Sequence, residues 1–159
     1  RTAWLDSGLR DYPLAATYSN NLVNHEQGVD DGQTDVPIPI AAYVTSAEFD
    51  IEDGHQFSFI SRVLPDIRFD GSTAITPSAT LTLLPLTNSG SGYDNPLSTG
   101  GNSGGTITRS AVLPVEQYTG QIDTRIRGRQ MSIKLESTGA GVTWQLGALR
   151  IDMRPDGRR

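Results

Sequence analysis

The 159-residue sequence contains no cysteine. That excludes a disulfide framework, a thiolate metal site and a thiol nucleophile. It leaves the compartment open, because many extracellular proteins also lack disulfides. No apolar run approaches the ~18 residues a membrane-spanning helix needs, no secretory leader is visible, and no membrane partner is expected. Aromatic residues make up only 7% of the chain, and no aromatic platform flanks a pair of carboxylates, as a glycoside-processing cleft would favour. No stretch of about ten residues repeats its apolar positions every 3.6 residues, so no helix is predicted. Charged residues, at 19%, fall below the usual ~25%, which argues against a disordered polyelectrolyte.

What is abundant is punctuation. Seventeen glycines and nine prolines cut the chain into short segments, the habit of strands joined by turns. The length suits one domain, able to bury roughly 68–70% of its unfolded surface without staples. The chain starts at Arg1 rather than Met, so a processed product or part of a longer polypeptide is expected.

The net charge of −5 is unevenly divided. Residues 1–120 carry 5 basic and 14 acidic side chains, whereas residues 121–159 carry 8 basic and 4 acidic. Two oppositely charged ends suit head-to-tail packing of copies. The basic residues are too dilute and too interleaved with acids to make DNA binding the first reading.

Residues 1–38 show little periodicity and read as an extended arm or loop. Residues 39–159 read as the antiparallel β domain. Tyr43, Thr45, Ala47, Phe49 and Ile51 alternate with polar neighbours, a half-buried strand. Asp53-Gly54 then reads as a hairpin turn, with Gln56 to Ile60 as the return strand, and Asp70-Gly71 marks another turn. Ala79, Leu81 and Leu83 form a strand expected to stop at Pro85. Residues 87–105 form a long Gly/Ser/Asn loop around Tyr93. Ile107, Ala111, Leu113 and Val115 share one face, and Pro114 suits an edge strand or bulge. From Ile122 to Leu135 the apolar set moves from even to odd positions at Gly128, a candidate β-bulge. A similar switch occurs at Gly147, between Trp144/Leu146 and Leu149/Ile151/Met153, and the two matched breaks predict neighbouring strands in one curved sheet. The fold class expected is an all-β antiparallel sandwich, or a partly open barrel, with an extended N-terminal arm.

Few motifs carry chemistry. Gly101-Asn102-Ser103-Gly104-Gly105 matches the nucleophile frame of trypsin-like serine proteases. Neither His25 nor His55 has a matching context, and the surrounding loop has the same composition, so a flexible loop is the reading taken. Asp30-Asp31-Gly32-Gln33-Thr34-Asp35 lacks the spacing of a calcium loop and reads as a solvated turn. Asp50, Glu52 and Asp53 beside His55 read as a hairpin tip rather than a metal site. Trp144 reads as core. Arg125, Arg127 and Arg129 alternate on one strand face, a row able to grip phosphates or acids of a neighbouring strand or subunit, the latter preferred. No catalytic residue, cofactor or metal ligand is assigned.

The segment Arg127-Gly128-Arg129-Gln130-Met131-Ser132-Ile133-Lys134-Leu135-Glu136-Ser137, then Trp144-Gln145-Leu146-Gly147, and the ending Ile151-Asp152-Met153-Arg154-Pro155-Asp156-Gly157-Arg158-Arg159, resembles the C-terminal end of virion structural proteins of short-tailed bacteriophages, of the tail-tube or nozzle type. Ser46 to Asp70 (Phe49-Asp50, Asp53-Gly54, Phe57, Pro65-Asp66, Phe69-Asp70-Gly71) and Pro114-Val115-Glu116-Gln117-Tyr118-Thr119-Gly120 fit the same pattern, so the resemblance spans about residues 46–159. It implies a virion location in the tail, a ring of copies that is often sixfold, other tail or adaptor proteins as partners, transient contact with genomic DNA passing through a lumen, and no chemistry of its own. Members of that family are much longer, so it also implies that this chain is the C-terminal portion of a larger polypeptide.

Both lines of reasoning lead to a non-enzymatic assembly unit. The expected interface residues are Arg125, Arg127, Arg129, Arg154, Arg158 and Arg159. The alternative is a carbohydrate- or surface-binding β-sandwich module of a virion or cell surface.

Overall fold

The computed structural model describes residues 3–6, 8–32, 36–51, 54–86 and 110–157. Every regular element in them is a β-strand, the pairing is antiparallel throughout, and no sheet closes into a barrel. The fold is the expected all-β class, with the layering of a sandwich.

The chain opens with β1 (Ala3–Leu5), β2 (Leu14–Ala16) and β3 (Leu22–Asn24), an antiparallel meander. β4 (Asp30–Asp31) and β5 (Ile38–Pro39) form a separate two-stranded ladder. The first 38 residues are therefore strand-bearing rather than a plain arm. Strands of two or three residues are too short to register as a period-two pattern. Local hydroxyl chemistry closes the β2–β3 turn: Asn21 N–H donates to Thr17 Oγ1 at 3.1 Å. Asp30 fastens the segment to the rest of the chain, accepting the Gly141 N–H on both carboxylate oxygens at 2.8 Å.

The chain continues through β6 (Ala42–Thr45), β7 (Phe49–Asp50), β8 (Ser58–Leu64), β9 (Ile67–Arg68), β10 (Ser78–Leu86), β11 (Ala111–Glu116), β12 (Ile122–Gly128), β13 (Gln130–Ser137), β14 (Gln145–Leu146) and β15 (Arg150–Pro155). A five-stranded sheet has the order β11-β10-β13-β6, with β7 also on β13; a three-stranded sheet has the order β12-β8-β15; β14 and β9 make a short ladder. One core joins the two larger sheets. Leu81, Leu83, Val115, Met131 and Leu135 meet Ile60, Val63 and Ile126, with Ile51 and Phe69 closing the ends. Each such aliphatic side chain contributes roughly 1.5–3 kcal/mol on burial. Trp144 packs against this core, as expected, and its indole N–H donates to Ser137 Oγ at 3.0 Å.

Several local expectations need correction. β7 and β8 do not pair: β7 lies on β13 and β8 lies between β12 and β15. The Gly54 turn therefore carries the chain from one sheet to the other and is not a hairpin; its Gly54 has φ 67°, and Asp53 and Glu52 lie outside the described residues. The alternating run from Tyr43 is broken after Thr45. Ser46, just past the strand, still donates its N–H to Ile133 O at 2.8 Å but accepts the Ile133 N–H on its hydroxyl, at 3.0 Å, rather than on its carbonyl. Of that run only Ile51 is buried, while Tyr43 is 72% exposed, because β6 is the outer edge of its sheet.

The phase change at Gly128 has a different cause from a bulge. β12 belongs to the three-stranded sheet and β13 to the five-stranded one, so the chain changes sheets at Gly128-Arg129 and must present its other face to the core. The bulge lies earlier, between Asp123 and Ile126, opposite Ser61 of β8. β15 also shifts register against β8 between Asp152 and Met153. Gly147 marks a bend rather than a bulge: its N–H donates to Asp66 O at 2.6 Å and the Ala148 N–H donates to Asp66 Oδ2 at 3.1 Å, ending β14 and starting β15. The two breaks do not lie on neighbouring strands, since β8 separates β12 from β15.

β10 runs on through Pro85 to Leu86. Among the described residues, β10 beyond Leu83 pairs only with β13, so the missing proline N–H falls where no second described strand needs it. Pro114 follows the same rule on β11, an edge strand as expected. Asp70-Gly71 is a turn, with Gly71 at φ 86° and the Ser72 N–H on Phe69 O at 3.1 Å.

Candidate assembly face

The three-stranded sheet has one face in the core and one face outward. Alternation sets which residues point out. Ile126 and Gly128 face inward on β12, leaving Asp123, Arg125 and Arg127 exposed. On β8, Ser58 and Ile60 face inward, so Phe57 just before the strand and Phe59 within it lie on the outer side. The unpaired Ser61 then shifts the phase, placing Val63 in the core and Arg62 outside.

Register groups these side chains into two bands. In one, Arg62 sits opposite Asp123 on β12 and Asp152 on β15, and its guanidinium binds the Asp152 carboxylate. In the other, Phe59 sits opposite both Arg127 and Arg154. Arg154 lies over the Phe59 ring at 4.8 Å. Arg127 and Arg129 both lie over Phe57, at 4.0 and 4.6 Å. Arg127 Nε also donates to Asp156 Oδ2 at 2.5 Å, and a terminal nitrogen donates to Asp156 O at 3.0 Å. Exposed ion pairs of this kind contribute about 0.2–1 kcal/mol each, and exposed cation–π contacts about 0.5–1 kcal/mol. Their larger effect is positional: planar guanidinium groups held on rings present fixed forks of donors.

Of the predicted interface residues, Arg125, Arg127, Arg129 and Arg154 thus gather on or beside one sheet face, while Arg158 and Arg159 lie outside the described residues. Sequence reasoning missed Phe57, Phe59 and Asp156 as their partners. Ser58 and Ile60 alternate with the two phenylalanines, and a count of apolar residues favours burying the rings; only the arginines across the ladder on both sides indicate the opposite.

No family model matches this sequence, and no curated protein matches it. Among the described residues no group of three or more His, Asp or Glu side chains could hold a metal ion. His25 follows β3, its ring 4.7 Å from that of Trp4. The Ser103 run, Tyr93 and Asp35 lie outside the described residues.

Proposed function

We propose that this chain is a structural subunit of a bacteriophage tail, of the nozzle or tail-tube type, which assembles with copies of itself and with other tail proteins around the path of the genome. The observation that carries the reading is the outer face of β12-β8-β15. It is ordered, rich in arginine and open, built from guanidinium groups braced on Phe57 and Phe59, and it is a surface for docking rather than a cleft for a small substrate. The resemblance of residues 127–159 to the ends of short-tailed phage tail proteins supports the same conclusion, and the acidic N-terminal half provides the second, different face that a closed ring requires.

Native mass spectrometry and electron micrographs of the purified chain test it. Discrete oligomers or rings are expected. Simultaneous charge reversal of Arg125, Arg127 and Arg129 is expected to abolish them while leaving the circular dichroism spectrum of the folded chain in place. A chain that stays monomeric at high concentration and never enters a particle refutes the proposal.

A further inference from the structure

One end of the meander carries more acidic than basic side chains. Its register aligns Leu5 with Leu14 and Leu14 with Asn24, so the end of β1, the start of β2 and the end of β3 lie together. Residues just beyond those strands share that end, where the His25 N–H donates to Pro13 O at 2.8 Å. Asp6, Asp11 and Glu26 are all there and all exposed, with Arg10 as the one basic residue of residues 3–32. The outer face of β12-β8-β15 has the opposite balance. Arg62, Arg125, Arg127, Arg129, Arg150 and Arg154 stand against Asp123, Asp152 and Asp156, and two of these aspartates are already engaged by Arg62 and Arg127.

We infer that the arginine face of one copy receives the Asp6–Asp11–Glu26 end of the meander of the next. Resting on the assembly reading above, this names its contact. The two surfaces are formed by different ends of the chain, so the contact is heterologous and repeats head to tail. Asp30 ties the segment that follows the meander to Gly141 of its own chain. Guanidinium forks match carboxylates in geometry as well as charge. A phosphate backbone shares that chemistry, but the complementary carboxylates are present on this same chain in the exposed position a neighbour would need.

A charge-swap experiment decides between these. One variant carries Arg125→Glu and Arg154→Glu; a second carries Asp6→Lys, Asp11→Lys and Glu26→Lys. All five sites are exposed, and retained circular dichroism spectra confirm folding. Each variant alone is expected to bind its own kind at least about tenfold more weakly than the native chain, and raised salt weakens the native contact in the same direction. In an equimolar mixture both contacts of every pair regain opposite charges, and oligomers return in native mass spectra, alternating the two variants. Native oligomers that survive either variant unchanged overturn the inference while leaving the tail assignment standing. So does an arginine variant that keeps its oligomer but loses binding to a single-stranded oligonucleotide, because the face then serves nucleic acid. A native chain that is monomeric throughout overturns both.

Discussion

Replacing Gly128 by alanine tests the point at which the chain changes sheets. The added methyl would stand 2.9 Å from Pro85 Cβ, 3.0 Å from the Gln130 carbonyl oxygen and 3.2 Å from the Leu86 carbonyl oxygen. None of these is the far end of a flexible side chain, so the strain falls on the backbone. Overpacking of that kind costs about 1–3 kcal/mol. The Leu86 oxygen also accepts the Arg129 N–H at 2.9 Å, and loosening that bond removes a further ~0.5–1.5 kcal/mol. Alanine restricts the unfolded chain and returns ~0.4–1 kcal/mol, so the net loss is about 2–3 kcal/mol. Urea unfolding in a Trp4→Phe background, where Trp144 alone reports, measures it. With a slope near ~2 kcal/mol per molar the midpoint falls by about 1 M or more. Gly120, whose added methyl would meet nothing within 4 Å, is the control: Gly120→Ala leaves the midpoint unchanged or raises it. An unmoved midpoint for Gly128→Ala, or an equal fall for both, refutes the steric account.

Three other outcomes follow from single contacts. Ser58 is fully buried, and its hydroxyl has no partner among the described residues; Ser58→Ala is expected to raise stability by about 1 kcal/mol, read from the same urea midpoint. Asp30→Ala leaves the Gly141 N–H without its charged acceptor, and hydrogen exchange at Gly141 should quicken as about 1.5–3 kcal/mol of local stabilisation is lost; unchanged exchange there would contradict the latch. A double-mutant cycle of Phe59→Leu with Arg154→Ala should return a coupling of about 0.5–1 kcal/mol, and a coupling of zero would mean that the ring does not hold the guanidinium.

The sequence made the fold class legible because Ala79-Leu81-Leu83, Leu113-Val115 and Met131-Leu135 each bury one side of a strand, which is what period two records. It also made the arginine row legible, since Arg125 and Arg127 share one side of β12. What it could not resolve was which sheet each strand joins. The turn before Gly54 has the chemistry of a hairpin, yet the strands on either side of it take partners far along the chain, a choice made by the shared core and not by the turn. The change of phase at Gly128 was visible, but an inserted residue and a change of sheet leave the same trace in a list of apolar positions. The meander escaped notice because three-residue strands offer one alternation at most, and the outward side of Phe57 and Phe59 was not legible because hydrophobicity alone does not reveal arginines lying across the ladder.

The two borders of the five-stranded sheet are unlike. β11 carries Pro114 at its middle, while β6 runs Ala42-Tyr43-Val44-Thr45 with neither proline nor charge. Stray joining of sheets side by side needs a receptive border on both molecules. Among the described residues such an encounter can form through β6 alone, so it ends at a pair: a third molecule would have to add at a proline-sealed margin. The chain can thus be crowded at high local density without this sheet seeding an unending fibre.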